Sequence, residues 1–243
     1  MSFIKLENLT KSYGGEQILA GLNLDIEQGE FISIVGPYGS GKSTILRILS
    51  GLSDEHGGSV TIRGHRPEES LKNRKVGYSF QHSSLLPWKS VKGNLSVIQE
   101  IADKPNPTEI DELLKLGGLE KYADHHIDQL SGGMRQILSI LRALVLHPDI
   151  LILDEPFSSI DELSREKFQN ILRQIHQETS KTTVMVTHSL QEAVYLSDRV
   201  VVLSKKPAKI REVIKLSNED RRDRYGRKFN LRVKTLKQAL MDE

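Results

Sequence analysis

The sequence has no cysteine and a single tryptophan. The first absence excludes disulfides and thiolate metal centres, which fits a reducing compartment. No apolar run approaches the roughly 18–20 residues needed to cross a bilayer. The start, Met1 to Glu7, lacks the layout of a secretory signal and reads directly as a strand, so a cytoplasmic protein is expected. Repeats and low-complexity segments are absent as well. A strong excess of one charge is also missing: the net charge is +2, which gives no sign of a nucleic-acid partner. The charge is uneven, however. Residues 205–243 carry 13 Lys/Arg against 6 Asp/Glu, a balance of +7 that leaves −5 for residues 1–204. That end reads as a solvated basic tail, with contact to an anionic membrane surface or an acidic partner as the sharper alternative.

What is present is a chain of 243 residues, 37% hydrophobic and 27% charged. This suits one large α/β domain or a main domain with a smaller subdomain. Phe31–Val35 is a continuous apolar run, as in a strand buried on both faces, and it leads into a glycine-rich turn and then a helix. Gly36, Gly41, Lys42 and Ser43 fit the phosphate-loop spacing G-x-x-x-x-G-K-[ST]. The residue types follow from the ligand. Backbone N–H groups can converge on a dense negative charge only where side chains do not intervene, and the helix start adds its positive dipole end. Lys42 would reach the β- and γ-phosphates, and the Ser43 hydroxyl would hold Mg²⁺.

Apolar and polar residues alternate over Ser2–Thr10 and again over Ile18–Ile26, which predicts an antiparallel edge sheet. Between them Lys11 to Gly15 forms a turn holding Tyr13, which could stack on an adenine ring. Further strands are expected at 59–64, 75–81, 149–156, 182–188 and 199–203, with helices at about 161–178 and 190–196. From His82 to about Leu146 the pattern is helical and broken by Pro87, Gly93, Pro105, Pro107 and Gly117. Thr108 is expected to cap the helix 109–116. Strands alternating with helices around a glycine-rich loop predict a doubly wound, mainly parallel P-loop NTPase core, with the helical block inserted as a subdomain.

Two more stretches carry chemistry. Leu151-Ile152-Leu153-Asp154-Glu155 puts adjacent carboxylates at the end of a buried strand, where open α/β sheets bind ligands. Asp154 suits Mg²⁺, and Glu155 could accept a proton from an attacking water. Leu130-Ser131-Gly132-Gly133-Met134-Arg135-Gln136 opens an apolar helix with a serine and two glycines, a second anion site. Two such sites on one chain hint at a dimer in which this helix closes over a partner's nucleotide.

In order and spacing these stretches resemble the ATPase domain of ABC transporters. Gly36–Thr44 looks like the Walker A loop, Gln81 the Q-loop, Leu130–Gln136 the signature, and Asp154-Glu155-Pro156 the Walker B end. Ser158-Ser159-Ile160-Asp161 is similar to the D-loop and His188 to the H-loop. The resemblance covers about residues 2–205. It implies an ATPase domain over 2–216, a helical subdomain at about 82–146, and a basic tail over 217–243. It implies ATP contacts from Tyr13, from Gly36, Pro37, Tyr38, Gly39, Ser40, Gly41, Lys42, Ser43 and Thr44, and from Ser131, Gly132, Gly133, Gln136 and Asp161. The metal would be held by Ser43, Gln81 and Asp154. Catalysis would fall to Glu155, His188 and Gln81, with Gln81 also linking hydrolysis to a membrane subunit. Tyr38, Ile160 and Met134 depart from the commonest residues at their positions without removing a catalytic group.

A narrower resemblance rests on Ser84-Leu85-Leu86-Pro87-Trp88 and Ser204–Ile210, which are similar to importers of nitrate, sulfonate and taurine. It implies a homodimeric ATPase on the cytoplasmic face of a bacterial inner membrane. Its partners would be membrane permease subunits and, indirectly, a substrate-binding protein. Trp88 would either receive the channel's coupling helix or pack in the core. The alternative function is an ABC-type ATPase acting without a transporter, in nucleic-acid or assembly processes.

Overall fold

The structure, a computed structural model, describes residues 2–158 and 160–241, the side chains of Leu163 and Arg222 excepted. Met1, Ser159 of the expected D-loop, and Asp242 and Glu243 of the tail lie outside the described residues. The architecture is mixed α/β, and the chain divides into two units, Met1–Asn73 with Thr182–Glu243, and Arg74–Lys181.

In the first unit β1 (Ile4–Tyr13) pairs antiparallel with β2 (Glu16–Ile26) and with β4 (Gly57–Ile62). Ile4 and Leu6 stand opposite Ile26 and Leu24 on one side, and opposite Ile62 and Val60 on the other. All six are buried, so the alternation read from the sequence becomes one apolar face. The central strand β3 (Phe31–Val35) is buried at every position. It runs parallel to both β7 (Thr182–Val186) and β8 (Arg199–Leu203), which explains why its sequence does not alternate. Helix α1 (Lys42–Leu49) follows β3, α2 (Pro67–Lys72) follows β4, and α7 (Leu190–Leu196) follows β7.

The segment expected as a solvated tail is folded. Strand β9 (Ile210–Lys215) pairs antiparallel with β8, and α8 (Asn218–Arg222) and α9 (Arg227–Met241) follow it. Phe229, Leu236 and Ala239 of α9 are buried. Arg221 donates to Asp198 Oδ1 at 2.7 Å and to the Ser197 carbonyl at 3.1 Å, while Asp198 Oδ2 accepts the Phe31 amide at 2.8 Å. Arg232 Nε reaches Asp220 Oδ1 at 3.1 Å. Burial works against the Asp220 charge, but the Ser217 amide, Arg232 and the Ser217 hydroxyl outweigh it and hold its pKa below the ordinary aspartate value. Several basic groups of this segment are therefore structural.

In the second unit β5 (Val76–Ser79) runs parallel to β6 (Ile150–Asp154), with Tyr78 opposite Ile152 and Ser79 opposite Leu153. Around them lie α3 (Val91–Ile101), α4 (Pro107–Leu116), α5 (Gly132–Leu144) and α6 (Glu162–Thr179). The cap of α4 is Asn106, whose Oδ1 accepts the Glu109 amide at 3.3 Å, and not Thr108. Pro107 explains the shift. Its fixed φ suits the first helical position and its missing N–H costs nothing there.

Candidate nucleotide site

In the first unit β3 aims the loop Gly36–Ser43. Gly39 and Gly41 adopt φ of 76° and 81°, a region open to glycine at little cost. A Cβ on Gly41 would come within 2.8 Å of both Ile18 and Leu19, so this position also needs closeness to β2. Gly41 caps α1 with no side-chain hydrogen bond, so the first amides of the helix receive no protein side chain from their cap. The Ser40 hydroxyl is buried without a hydrogen-bond partner among the described residues. Lys42, 6% exposed, bends back so that Nζ donates to the carbonyls of Gly36 at 3.0 Å and Pro37 at 2.9 Å. A fixed cation, an orphaned hydroxyl and helix-start amides in one loop fit a polyphosphate. Ser43 is exposed, Thr44 half-buried, and Tyr38 stands in solvent at 96% exposure.

Two outlying residues of this unit were also expected at the nucleotide. Tyr13 ends β1, half exposed, with Lys11 Nζ 4.9 Å from its ring centre. His188 is exposed on the short link from β7 to α7. That link is fixed by its neighbours: Thr187 Oγ1 donates to Glu192 and accepts the Ser189 amide at 3.0 Å, and Ser189 caps the Glu192 amide at 3.3 Å.

In the second unit β6 ends at Asp154, and Tyr78 OH donates to its Oδ2 at 3.2 Å. Glu155 follows with φ 47°, a left-handed conformation costing a non-glycine residue about 1–3 kcal/mol. The Ser158 amide and hydroxyl hold the Glu155 carbonyl at 3.2 and 3.1 Å. Gln81 Nε2 donates to Glu155 Oε2 at 3.2 Å. The parallel pairing of β5 with β6 thus brings Gln81 to the acidic pair. Sequence reading did not single out Tyr78, because its link to Asp154 depends on strand register and no motif marks it.

The signature stretch separates into exposed and buried parts. Ser131 caps α5 by accepting the Met134 amide at 3.3 Å, and it is exposed together with Gly132. Gly133 is buried, and a Cβ there would lie 1.9 Å from the Phe168 ring of α6. Gln136 is 3% exposed and directs its amide to Ser79 Oγ at 3.4 Å, so it does not join Ser131 and Gly132 at the helix mouth. Asp161 caps α6 through the Ser164 amide at 2.9 Å. No group of three or more His, Asp or Glu able to hold a metal by itself occurs among the described residues. A Mg²⁺ site completed mainly by phosphate oxygens and water is consistent with that donor set.

Residues 19–158 match the ABC transporter family. The chain belongs to that family. It is 39% identical to an uncharacterized ABC transporter ATP-binding protein of Methanocaldococcus jannaschii, over 99% of this chain and 92% of that protein. It is 36% identical to the aliphatic sulfonates import ATP-binding protein of Bacillus thuringiensis, over 94% of this chain and 91% of that protein. A dimeric ATP-binding cassette solved in a post-hydrolysis state with ADP and Pi matches with a TM-score of 0.75 and 34% identity, covering 88% of this chain and 99% of that one. This ABC ATPase is an ATP hydrolase with ATP and Mg²⁺ as its cofactors. The P-loop NTPase fold expected from the sequence is the one found.

Proposed function

We propose that this ABC ATPase powers an importer, taking up a small oxyanion such as a sulfonate, nitrate or a related nutrient through a partner membrane channel. The observation that carries the catalytic part is the divided partnering of two adjacent carboxylates, Asp154 with Tyr78 and Glu155 with Gln81. Asp154 would serve the metal and Glu155 the attacking water, with Tyr78 of β5 and Gln81 just beyond that strand bonded to them. The Gly36–Thr44 loop would bind the phosphates through its amides and Lys42, and Ser43, Asp154 and Gln81 would hold Mg²⁺, which would supply positive charge to the transferred phosphoryl group. Glu155 takes a proton from the attacking water, a step worth ~10²–10⁴-fold. His188 contacts the γ-phosphate, Tyr13 stacks on the base, and Ser131, Gly132 and Asp161 come from a second copy that completes the site. Gly133 and Gln136 serve that surface by packing α5.

The importer reading is supported by the named function of the Bacillus relative and by Trp88, which is 70% exposed and so is not packed in a core. Trp88 then faces a membrane permease subunit. No helix among the described residues is long and apolar enough to cross a membrane. Attachment to the cytoplasmic face of the membrane would accordingly run through that partner. The test is Glu155→Gln. Steady-state ATP turnover should fall by at least about 10²-fold, while ATP binding persists and ATP yields a stable dimer. Undiminished turnover would remove Glu155 as the base. Ligand binding by the cognate binding protein identifies the solute, and a preference for something other than a small oxyanion would reject that part.

A further inference from the structure

The exposed tryptophan stands on a turn built with unusual care. The Lys89 amide donates to the Leu86 carbonyl at 3.1 Å, closing a turn with Pro87 and Trp88 at its two central positions. The turn is then held from beneath by Asn94, a residue of α3 with 0% exposure. Asn94 Oδ1 accepts the Leu86 amide at 2.7 Å. Its amide nitrogen lies 3.1 Å from the Leu86 carbonyl, 3.4 Å from that of Lys89 and 3.0 Å from that of Ser90. One buried side chain thereby engages both backbone groups of Leu86, and its two N–H donors are shared among the carbonyls of Leu86, of Lys89 at the end of the turn and of Ser90 just beyond it. The base is anchored as well. Ser90 caps the Gly93 amide at 3.1 Å, and the amides of Val91 and Lys92 donate to the carbonyls of His125 and Ala123 at 2.9 and 2.8 Å. Arg142, on the helix that Ser131 opens, donates to the Ser84 carbonyl just ahead of the turn.

A buried amide of this kind is tolerated only when its hydrogen-bonding groups are satisfied, and here the satisfaction comes from a single exposed turn. At 70% exposure Trp88 buries only a minor part of its surface in return. We infer that Asn94 is a positioning residue that presents Trp88 in one fixed orientation, so that a transport partner meets a preformed surface and not a mobile loop. A rigid aromatic anchor binds with less ordering cost than a flexible one. The partner part of this inference rests on the proposed docking role of Trp88, whereas the positioning part stands on the hydrogen bonds alone.

The experiment uses Trp88 as its own probe, since it is the only tryptophan in the chain. Fluorescence anisotropy and iodide quenching are measured on the isolated protein for Asn94→Ala and Asn94→Asp, beside ATP affinity and capture of the co-expressed membrane subunits. Asn94→Asp keeps the acceptor for Leu86 and loses the donated bonds, so it serves if the alanine variant fails to fold. Both variants should lower anisotropy and raise quenching, the alanine form more, with ATP affinity within about twofold of the parent. Capture should fall about tenfold, the scale of a modest anchor residue. Unchanged anisotropy and quenching in the folded variants would overturn the positioning role. A mobilised Trp88 with full capture would overturn its bearing on the partner. Trp88→Ala separates the two readings: full capture by that variant defeats the docking role itself, while the fluorescence result for Asn94 is unaffected.

Discussion

The helices α1 and α5 both open with small residues, yet their first turns differ. Gly41 leaves the start of α1 without a side-chain cap, beside the unpartnered Ser40 hydroxyl and the inward-bent Lys42. The mouth of α5 is already closed by its own Ser131, which caps Met134, and Gly133 is needed by Phe168. In one helix the glycine shapes a turn with positive φ; in the other it makes room for a ring. Two stretches with similar composition therefore differ at their first turns: α1 starts from a glycine that gives no side-chain cap, which suits a polyphosphate, whereas α5 has the Met134 amide capped by its own Ser131 and leaves Ser131 and Gly132 exposed.

That contrast can be broken at three points. Lys42→Ala should show the largest effect, weakening ATP binding about 10- to 150-fold, the range for losing hydrogen bonds to a charged group. Equilibrium binding to the isolated protein measures it, and unchanged affinity would remove α1 as the primary anion site. Gly133→Ala should cost about 1–3 kcal/mol of stability through overpacking against Phe168, read from denaturant unfolding, while ATP affinity of the isolated protein holds. A loss of affinity without a loss of stability would mean that Gly133 faces ligand and not α6. Ser131→Ala should cost about 0.5–2 kcal/mol as a lost helix cap. No stability loss at all would place the Ser131 hydroxyl elsewhere.

The difference between these helices was only partly visible in the sequence. The phosphate loop is legible because backbone approach to an anion demands glycine, lysine and serine at fixed spacing. The carboxylates Asp154 and Glu155 are legible because they end a plainly buried strand. The partners of those carboxylates are not, since the contacts of Tyr78 and Gln81 arise from the register of β5 against β6. Gln136 sits within a recognisable motif, but the helix turns it inward to Ser79 and away from the mouth that Ser131 opens. In α9 the apolar positions Phe229, Leu236 and Ala239 are sparse among lysines and arginines, so charge dominates the pattern of a segment that is helical. For Trp88 the resemblance to importers offers docking and the usual burial of tryptophan offers packing, and its exposure decides against packing.

In the proposed function α1 binds the nucleotide while the mouth of α5 acts only by meeting a second copy's nucleotide. Ser131→Arg tests it most directly, by comparing ATP affinity of the isolated monomer with steady-state hydrolysis. Affinity should stay parental, with hydrolysis lost and no ATP-dependent dimer. A loss of monomer affinity matching that of Lys42→Ala would contradict it.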